Sequence, residues 1–316
     1  MKNTALIFPG QGAQKSGMGA DLYENSAAAR RVFDTADKVL KDSMPSVSDM
    51  CFKGSDEDLM KTINSQPCIV TVEIAAFEAF KELTGMKFAA AAGHSLGEYS
   101  ALYSAGAADL ETVLKLIQKR AQLMNEAAEK THGAMAAVIG LDAGTVNTVL
   151  NKLDNVYAAN FNSPAQVVIT GEKEAVNSSF DKFKEAGAKK VIPLAVSGAF
   201  HSPLMKEAGQ RFSEFIKQFE FNNADAPVYT NVDGCAETSG AVFKAKLSEQ
   251  IYSSVLWTKT INNMMLKGIT DYIEIGPGRV LAGLNKKINP DINTLNIYDW
   301  ESLTDTVNKV REKELV

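Results

Sequence analysis

The chain has 316 residues, 45% of them hydrophobic and 22% charged. This ordinary globular usage excludes disordered, collagen-like and low-complexity readings, and at ~100–200 residues per domain it allows two domains at most, or one large domain with an insert. The 33 basic residues against 38 acidic ones leave a charge of −5, which argues against nucleic-acid binding, where the balance is usually strongly basic. The start, Met1 to Phe8, has too short an apolar run before Pro9-Gly10 to be a signal peptide. No stretch approaches ~18 unbroken apolar residues, so no membrane span is expected. Cys51, Cys68 and Cys235 cannot all pair and lack metal spacing, which favours a reducing compartment. A soluble, cytoplasmic protein follows as the expectation.

In chain order, Ala5–Phe8 reads as a short buried strand stopped by Pro9-Gly10. Ala27–Leu40 has the charge pattern of a surface helix, and Ser55 with Asp58 resembles a capping box. Gln66–Leu83 reads as a helix with Pro67 in its first turn. Phe88–Ala92 is a small-residue strand, followed by helices Leu96–Ser104 and Leu110–Lys130. From Ala134 the rhythm changes: strand Ala134–Ile139, helix Ala143–Leu153, strand Val156–Asn160, strand Gln166–Thr170, helix Lys173–Ala186, strand Lys190–Ala195. That β-α-β-β-α-β order is the ferredoxin-like arrangement, at the size of an inserted subdomain. The α/β pattern then resumes with helix Pro203–Phe219, strand Val228–Asn231, helices Ala241–Tyr252 and Lys259–Lys267, strand Asp271–Ile275 and helix Arg279–Ile288. Strands alternating with helices predict an α/β fold with a largely parallel sheet. The predicted division is a discontinuous large domain, residues 1–131 and 198–316, around a small one, 132–197.

Gly93-His94-Ser95-Leu96-Gly97 fits G-x-S-x-G, the nucleophile elbow, and has the strand before and the helix after that the elbow requires. A sharp turn puts Ser95 at the tip, and the Leu96 N–H can face a developing oxyanion. A serine needs a base, and only three histidines exist. His94 adjoins the serine, where neighbouring side chains tend to point apart. His132 sits in a loop where solvent exposure is the plain reading. His201, in Ser197-Gly198-Ala199-Phe200-His201-Ser202-Pro203, lies where the chain re-enters the large domain, and is the candidate base.

On a wheel at ~100° per residue, Leu110–Lys130 is apolar on one side and carries Lys115, Gln118, Lys119, Gln122 and Asn125 on the other. Arg120 falls inside the apolar arc. It is either a snorkelling or internally paired side chain, or a fork for a substrate carboxylate. Phe8-Pro9-Gly10-Gln11-Gly12 is neither a phosphate loop nor a dinucleotide fingerprint. It is a Gly-rich turn, or the source of a second oxyanion N–H at Gln11.

Together these segments, with Asn162-Ser163-Pro164, Thr230-Asn231-Val232-Asp233 and Glu274-Ile275-Gly276-Pro277-Gly278, resemble the malonyl-coenzyme A:acyl carrier protein transacylases of fatty acid synthesis and the acyltransferase domains of polyketide synthases. The resemblance runs nearly end to end. It implies a hydrolase-like core with a ferredoxin-like insert, Ser95 as acylated nucleophile, His201 as base, and Gln11 and Leu96 amides as oxyanion hole. It implies Arg120 as malonate clamp beside Met124, and the Gln250 backbone carbonyl in place of an acidic third member. Asn162 is expected to bind substrate, and Phe200 to crowd an α-methyl branch, favouring malonyl over methylmalonyl. Malonyl-CoA and acyl carrier protein are the implied partners, with no metal or redox cofactor, and the chain is expected to be a monomer. An acidic carrier would need a local basic patch, for which Lys189-Lys190 and Arg279 with Lys286-Lys287 are candidates against ordinary solvated surface. A serine esterase remains the main alternative. It calls for a catalytic acid between Ser95 and His201, where Asp181 is available but poorly placed on the small subdomain.

Overall fold

The computed structural model describes residues 3–196 and 198–314; Ser197 of the candidate loop lies outside them, as do Met1, Lys2, Leu315 and Val316. Among the described residues, ten strands form two sheets. The large sheet contains β1 (Thr4–Phe8) and β2 (Ala90–Gly93). The small sheet follows as β3 (Gly133–Ile139), β4 (Val156–Ser163), β5 (Gln166–Glu172) and β6 (Lys190–Pro193). The chain then returns to the large sheet with β7 (Val228–Tyr229), β8 (Ala236–Glu237), β9 (Asp271–Ile275) and β10 (Asn293–Ile297). The large sheet has the order β10-β9-β1-β2-β7-β8 and is parallel except for β8. The small sheet has the order β4-β5-β3-β6 with antiparallel pairs, the ferredoxin-like order the β-α-β-β-α-β rhythm predicts.

β1 lies fully buried between β9 and β2, consistent with its unbroken apolar run. The helix Thr62–Thr84 is buried on every side from Ser65 to Phe77, so that stretch is not amphipathic, while its last turn carries exposed Lys81 and Glu82. It begins four residues before the predicted start, which places Pro67 inside the helix and Gln66 on a buried turn. The helix predicted over Lys173–Ala186 is two, Lys173–Ser178 and Phe180–Glu185. At the break, the Ser179 hydroxyl donates to the Val176 carbonyl at 2.6 Å, a local bond that competes with continuous helix.

The small sheet is tied at β4 to a returning segment of the chain that belongs to neither sheet. Val255 N–H donates to the Ala159 carbonyl at 2.8 Å, and Phe161 N–H to the Val255 carbonyl at 2.9 Å. Where the chain enters and leaves the small sheet it touches itself: a Cβ on Gly133 would lie 2.2 Å from the Ala199 nitrogen. Among the described residues, no helix is long and apolar enough to cross a membrane.

Candidate active site

Neighbouring strands β1, β2 and β7 deliver Gln11, Ser95 and Asn231 just beyond their carboxyl ends, the usual place for a site in an open parallel sheet. Ser95 has φ 53°, a left-handed conformation that costs a non-glycine residue on the order of 1 kcal/mol or more. The flanking glycines permit the turn. A Cβ on Gly93 would sit 1.9 Å from the Gly97 carbonyl carbon, and one on Gly97 would sit 2.3 Å from the Phe8 carbonyl oxygen. Asn231 holds the elbow shut: its Oδ1 accepts from the Ser95 N–H at 2.7 Å, and its Nδ2 donates to the Gly93 carbonyl at 2.7 Å.

His201, also left-handed at φ 58° and 5% exposed, puts Nε2 2.8 Å from Ser95 Oγ. Its Nδ1 lies 2.9 Å from the Gln250 carbonyl and 3.2 Å from the Ser253 carbonyl. Carbonyls only accept, so Nδ1 carries the proton and Nε2 is free to take one from Ser95. Burial, helped by the Arg120 charge, pushes the imidazole down to about 3, so it is neutral at neutral pH. Among the described residues, the other histidines make no hydrogen bond to Ser95 Oγ, although His94 lines the same cavity as Ser95. His94 Nε2 lies 2.8 Å from Asn162 Oδ1, and exposed His132 ends the helix Leu110–Thr131 in a left-handed cap. Asp181 pairs with Lys184 on the exposed face of the small subdomain and takes no part in the site.

Arg120 is 1% exposed. Its Nη1 donates to Gln66 Oε1 at 2.6 Å, and its Nη2 to Ser95 Oγ at 2.9 Å and Gln250 Oε1 at 3.0 Å. All three acceptors are neutral, and Nε has no partner among the described residues. Burying a guanidinium without an anion is costly, which fits an arginine poised for a carboxylate better than an internal salt bridge. The same helix contradicts one polar-face expectation: Gln118 is 3% exposed and packs inward.

A cavity of about 410 Å³ joins these groups, with Gln11, Gln66, Ser95, Arg120, Met124 and Phe200 among its walls. Met124 Sδ accepts a 3.6 Å contact from Gln66 Nε2, one turn from Arg120 as expected. Phe200 packs so closely that a Cβ on Gly198 would meet its ring at 2.4 Å. Gln11 stands on the β1 side and Leu96 begins the helix after Ser95; no hydrogen bond to either backbone N–H is found among the described residues. Asn162 corrects an expectation. It does not line the cavity, because β4 carries a bulge between Phe161 and Ser163 and its amide is taken by His94; Asn160 lines the wall instead.

Three residues with direct roles in this geometry were not predicted as site residues: Gln66, Glu98 and Asn231. Asn231 lies in a motif quoted above, and Glu98 three residues beyond Ser95, so position was the available signal. Glu274, in the Glu-Ile-Gly-Pro-Gly segment, is structural: its carboxylate accepts from the Leu281 and Ala282 N–H groups at 2.9 and 2.8 Å and caps the helix Val280–Ile288.

A strained serine on a strand–helix elbow, bonded to an imidazole that carbonyls hold in place, is the arrangement of a serine-nucleophile α/β enzyme. The sequence pattern of the acyl transferase domain matches residues 5–291. A malonyl CoA-acyl carrier protein transacylase of Bacillus subtilis (strain 168) is 43% identical over 99% of both chains. The acyl carrier protein S-malonyltransferase structure from Vibrio cholerae O1 biovar eltor is 39% identical, with TM-score 0.91 over 96% of this chain and 99% of that one. A malonyl-transacylase solved in complex with its type II polyketide acyl-carrier protein is 38% identical, with TM-score 0.93 over 97% of this chain and 99% of that one. The chain belongs to the malonyl CoA-acyl carrier protein transacylase family, and it is an acyltransferase.

Proposed function

We propose that this protein moves malonyl from malonyl-CoA to the phosphopantetheine thiol of acyl carrier protein in fatty acid synthesis, by a ping-pong reaction through malonyl-Ser95. The observation that carries the reading is the buried Arg120 guanidinium, held by neutral acceptors alone and touching Ser95 Oγ. His201 Nε2 takes the Ser95 proton as Oγ bonds to the thioester carbonyl carbon. The oxyanion is stabilised by the Gln11 and Leu96 N–H groups. As the C–S bond breaks, the coenzyme A sulfur takes the proton from His201. The carrier thiol then gives its proton to His201 and attacks the ester carbonyl, and the collapsing intermediate expels Ser95 Oγ, which recovers that proton. The Gln250 carbonyl keeps the histidine tautomer through both halves. Every proton and electron pair is accounted for by the chain and its two substrates, so no cofactor is called for.

Arg120 would pair with the malonyl carboxylate, which also removes its depressing effect on the His201 imidazole just when a base is needed. In this reading residues 1–131 and 198–316 form the hydrolase-like unit and 132–197 the ferredoxin-like one. All site residues come from one chain, so a monomer suffices.

Two outcomes test the reading. In a panel of acyl-CoA thioesters, malonyl is expected to load fastest and methylmalonyl far more slowly, because the tightly packed Phe200 ring walls the cavity beside Ser95. Similar loading rates for the two would refute the Phe200 assignment. Carrier docking is expected at exposed Lys286 and Lys287, in the last turn of Val280–Ile288; Lys287 Nζ reaches Gln166 Oε1 at 3.2 Å, which sets that turn against the small sheet. Reversing both lysines to glutamate is expected to slow transfer to the acidic carrier by roughly tenfold and to spare coenzyme A loading. Equal effects on the two half-reactions would remove the docking assignment.

A further inference from the structure

Glu98 lies in the first turn of the helix Gly97–Ser104 and is 1% exposed. A buried carboxyl needs partners, and among the described residues no lysine or arginine pairs with it at ion-pair distance. Its Oε2 instead accepts two hydrogen bonds, from Gln250 Nε2 at 2.7 Å and from the Asn231 backbone N–H at 3.1 Å. Both donors lead on to the reacting pair. Gln250 Nε2 also donates to the Ser95 carbonyl at 2.9 Å, and the Gln250 backbone carbonyl holds His201 Nδ1. The Asn231 side chain closes the elbow on both sides of the Ser95 peptide. One carboxyl oxygen is therefore the common origin of two short chains, one ending on the nucleophile's strained backbone and the other on the base.

From this convergence we infer that Glu98 is a positioning residue for acyl transfer: by fixing the Gln250 amide and the Asn231 backbone it holds Ser95 and His201 in mutual register. The inference rests on the acyl-transfer reading above. Burial pushes the Glu98 carboxyl up to about 7 while the two donors pull it down, so both protonation states are accessible at neutral pH. Oε2 remains an acceptor in either state if a proton sits on the other oxygen. The device is thus the acceptor, not the charge.

The test compares Glu98→Ala with Glu98→Gln, whose amide oxygen can accept both bonds. Two rates are read: malonyl-Ser95 formation, and Ser95 sulfonylation by phenylmethanesulfonyl fluoride, which uses Ser95 and His201 but offers Arg120 no carboxylate. The alanine variant is expected to lose roughly 10²-fold in both rates with little change in KM for malonyl-CoA, and the glutamine variant to recover both to within about threefold. Should the alanine variant not fold, Glu98→Asp, one methylene too short to reach both donors, gives the same comparison. Wild-type rates in the alanine or aspartate variant, or a glutamine variant as slow as they are, would overturn the inference. If the unaltered protein forms no malonyl ester, the substrate reading fails, and sulfonylation still decides the role of Glu98.

Discussion

Replacing Ser95 with alanine is expected to abolish acyl-enzyme formation and lower transfer by on the order of 10⁶-fold, as removal of a nucleophile does where no other group can substitute. The hydroxyl has two partners, His201 Nε2 and Arg120 Nη2, and the substitution removes both contacts. Neither tie that shapes the elbow uses it: Asn231 accepts from the Ser95 N–H, and Gln250 donates to the Ser95 carbonyl. The variant should therefore melt close to the parent temperature while failing to acylate. Rapid-quench acylation alongside a thermal melt separates the two effects. Residual loading at a tenth of the parent rate would place the nucleophile elsewhere.

Arg120→Ala has the second largest expected effect, and its direction depends on the acyl group. Removing one partner of a buried charge pair costs about 3 kcal/mol, roughly 10²-fold in kcat/KM for malonyl-CoA. Acetyl-CoA has no carboxylate to lose. With the arginine present, an acetyl group leaves a buried guanidinium without an anion, so its removal should hold or raise acetyl loading. Discrimination between the two should fall by about the factor lost for malonyl. The variant should also lose some stability, because Gln66 Oε1 and Gln250 Oε1 each lose a buried donor. Competition between malonyl-CoA and acetyl-CoA reads this directly, and an unchanged preference would show that Arg120 serves the fold alone.

The same geometry weighs against a serine esterase. Such an enzyme would place a carboxylate on His201 Nδ1, and here that nitrogen meets the Gln250 and Ser253 carbonyls. A carbonyl orients the ring as a carboxylate would, with less stabilisation of the imidazolium. An acyl ester handed to a thiol is the lighter task for such a dyad, because a thiol is a far better nucleophile than water.

Much of this site is legible in the sequence because its principal parts are local. The elbow is five consecutive residues between a strand and a helix, and His201 is one of only three histidines. Arg120 betrays itself by helical period alone, a lone charge on an apolar arc. The supporting residues are different in kind. Gln66 meets Arg120 across 54 positions, and Glu98, although it follows Ser95 by three residues, meets Gln250 across 152, so the sequence does not show which partner either one has. Gln118 shows the limit of the wheel: it sits at the edge of the arc and is buried all the same. Two elements beyond Ile288 are absent from the predicted set for separate reasons. Asn293–Ile297 reads Asn-Thr-Leu-Asn-Ile, too short and too polar to stand out, and becomes a strand because β9 offers it an open edge. Trp300–Glu314 carries a clear signal, an Asp299 side chain accepting from the Ser302 N–H at 2.8 Å and buried Leu303, Val307 and Val310 at helical spacing.

The most direct test of the central claim is the intact mass of the purified protein after mixing with malonyl-CoA, followed by peptide mapping and then by addition of holo acyl carrier protein. The protein should gain one malonyl group, carried by the peptide that contains Ser95. The group should persist without an acceptor and pass to the carrier thiol when the carrier is added. A chain that gains no malonyl group, or that releases it as free malonate with no carrier present, would contradict the account.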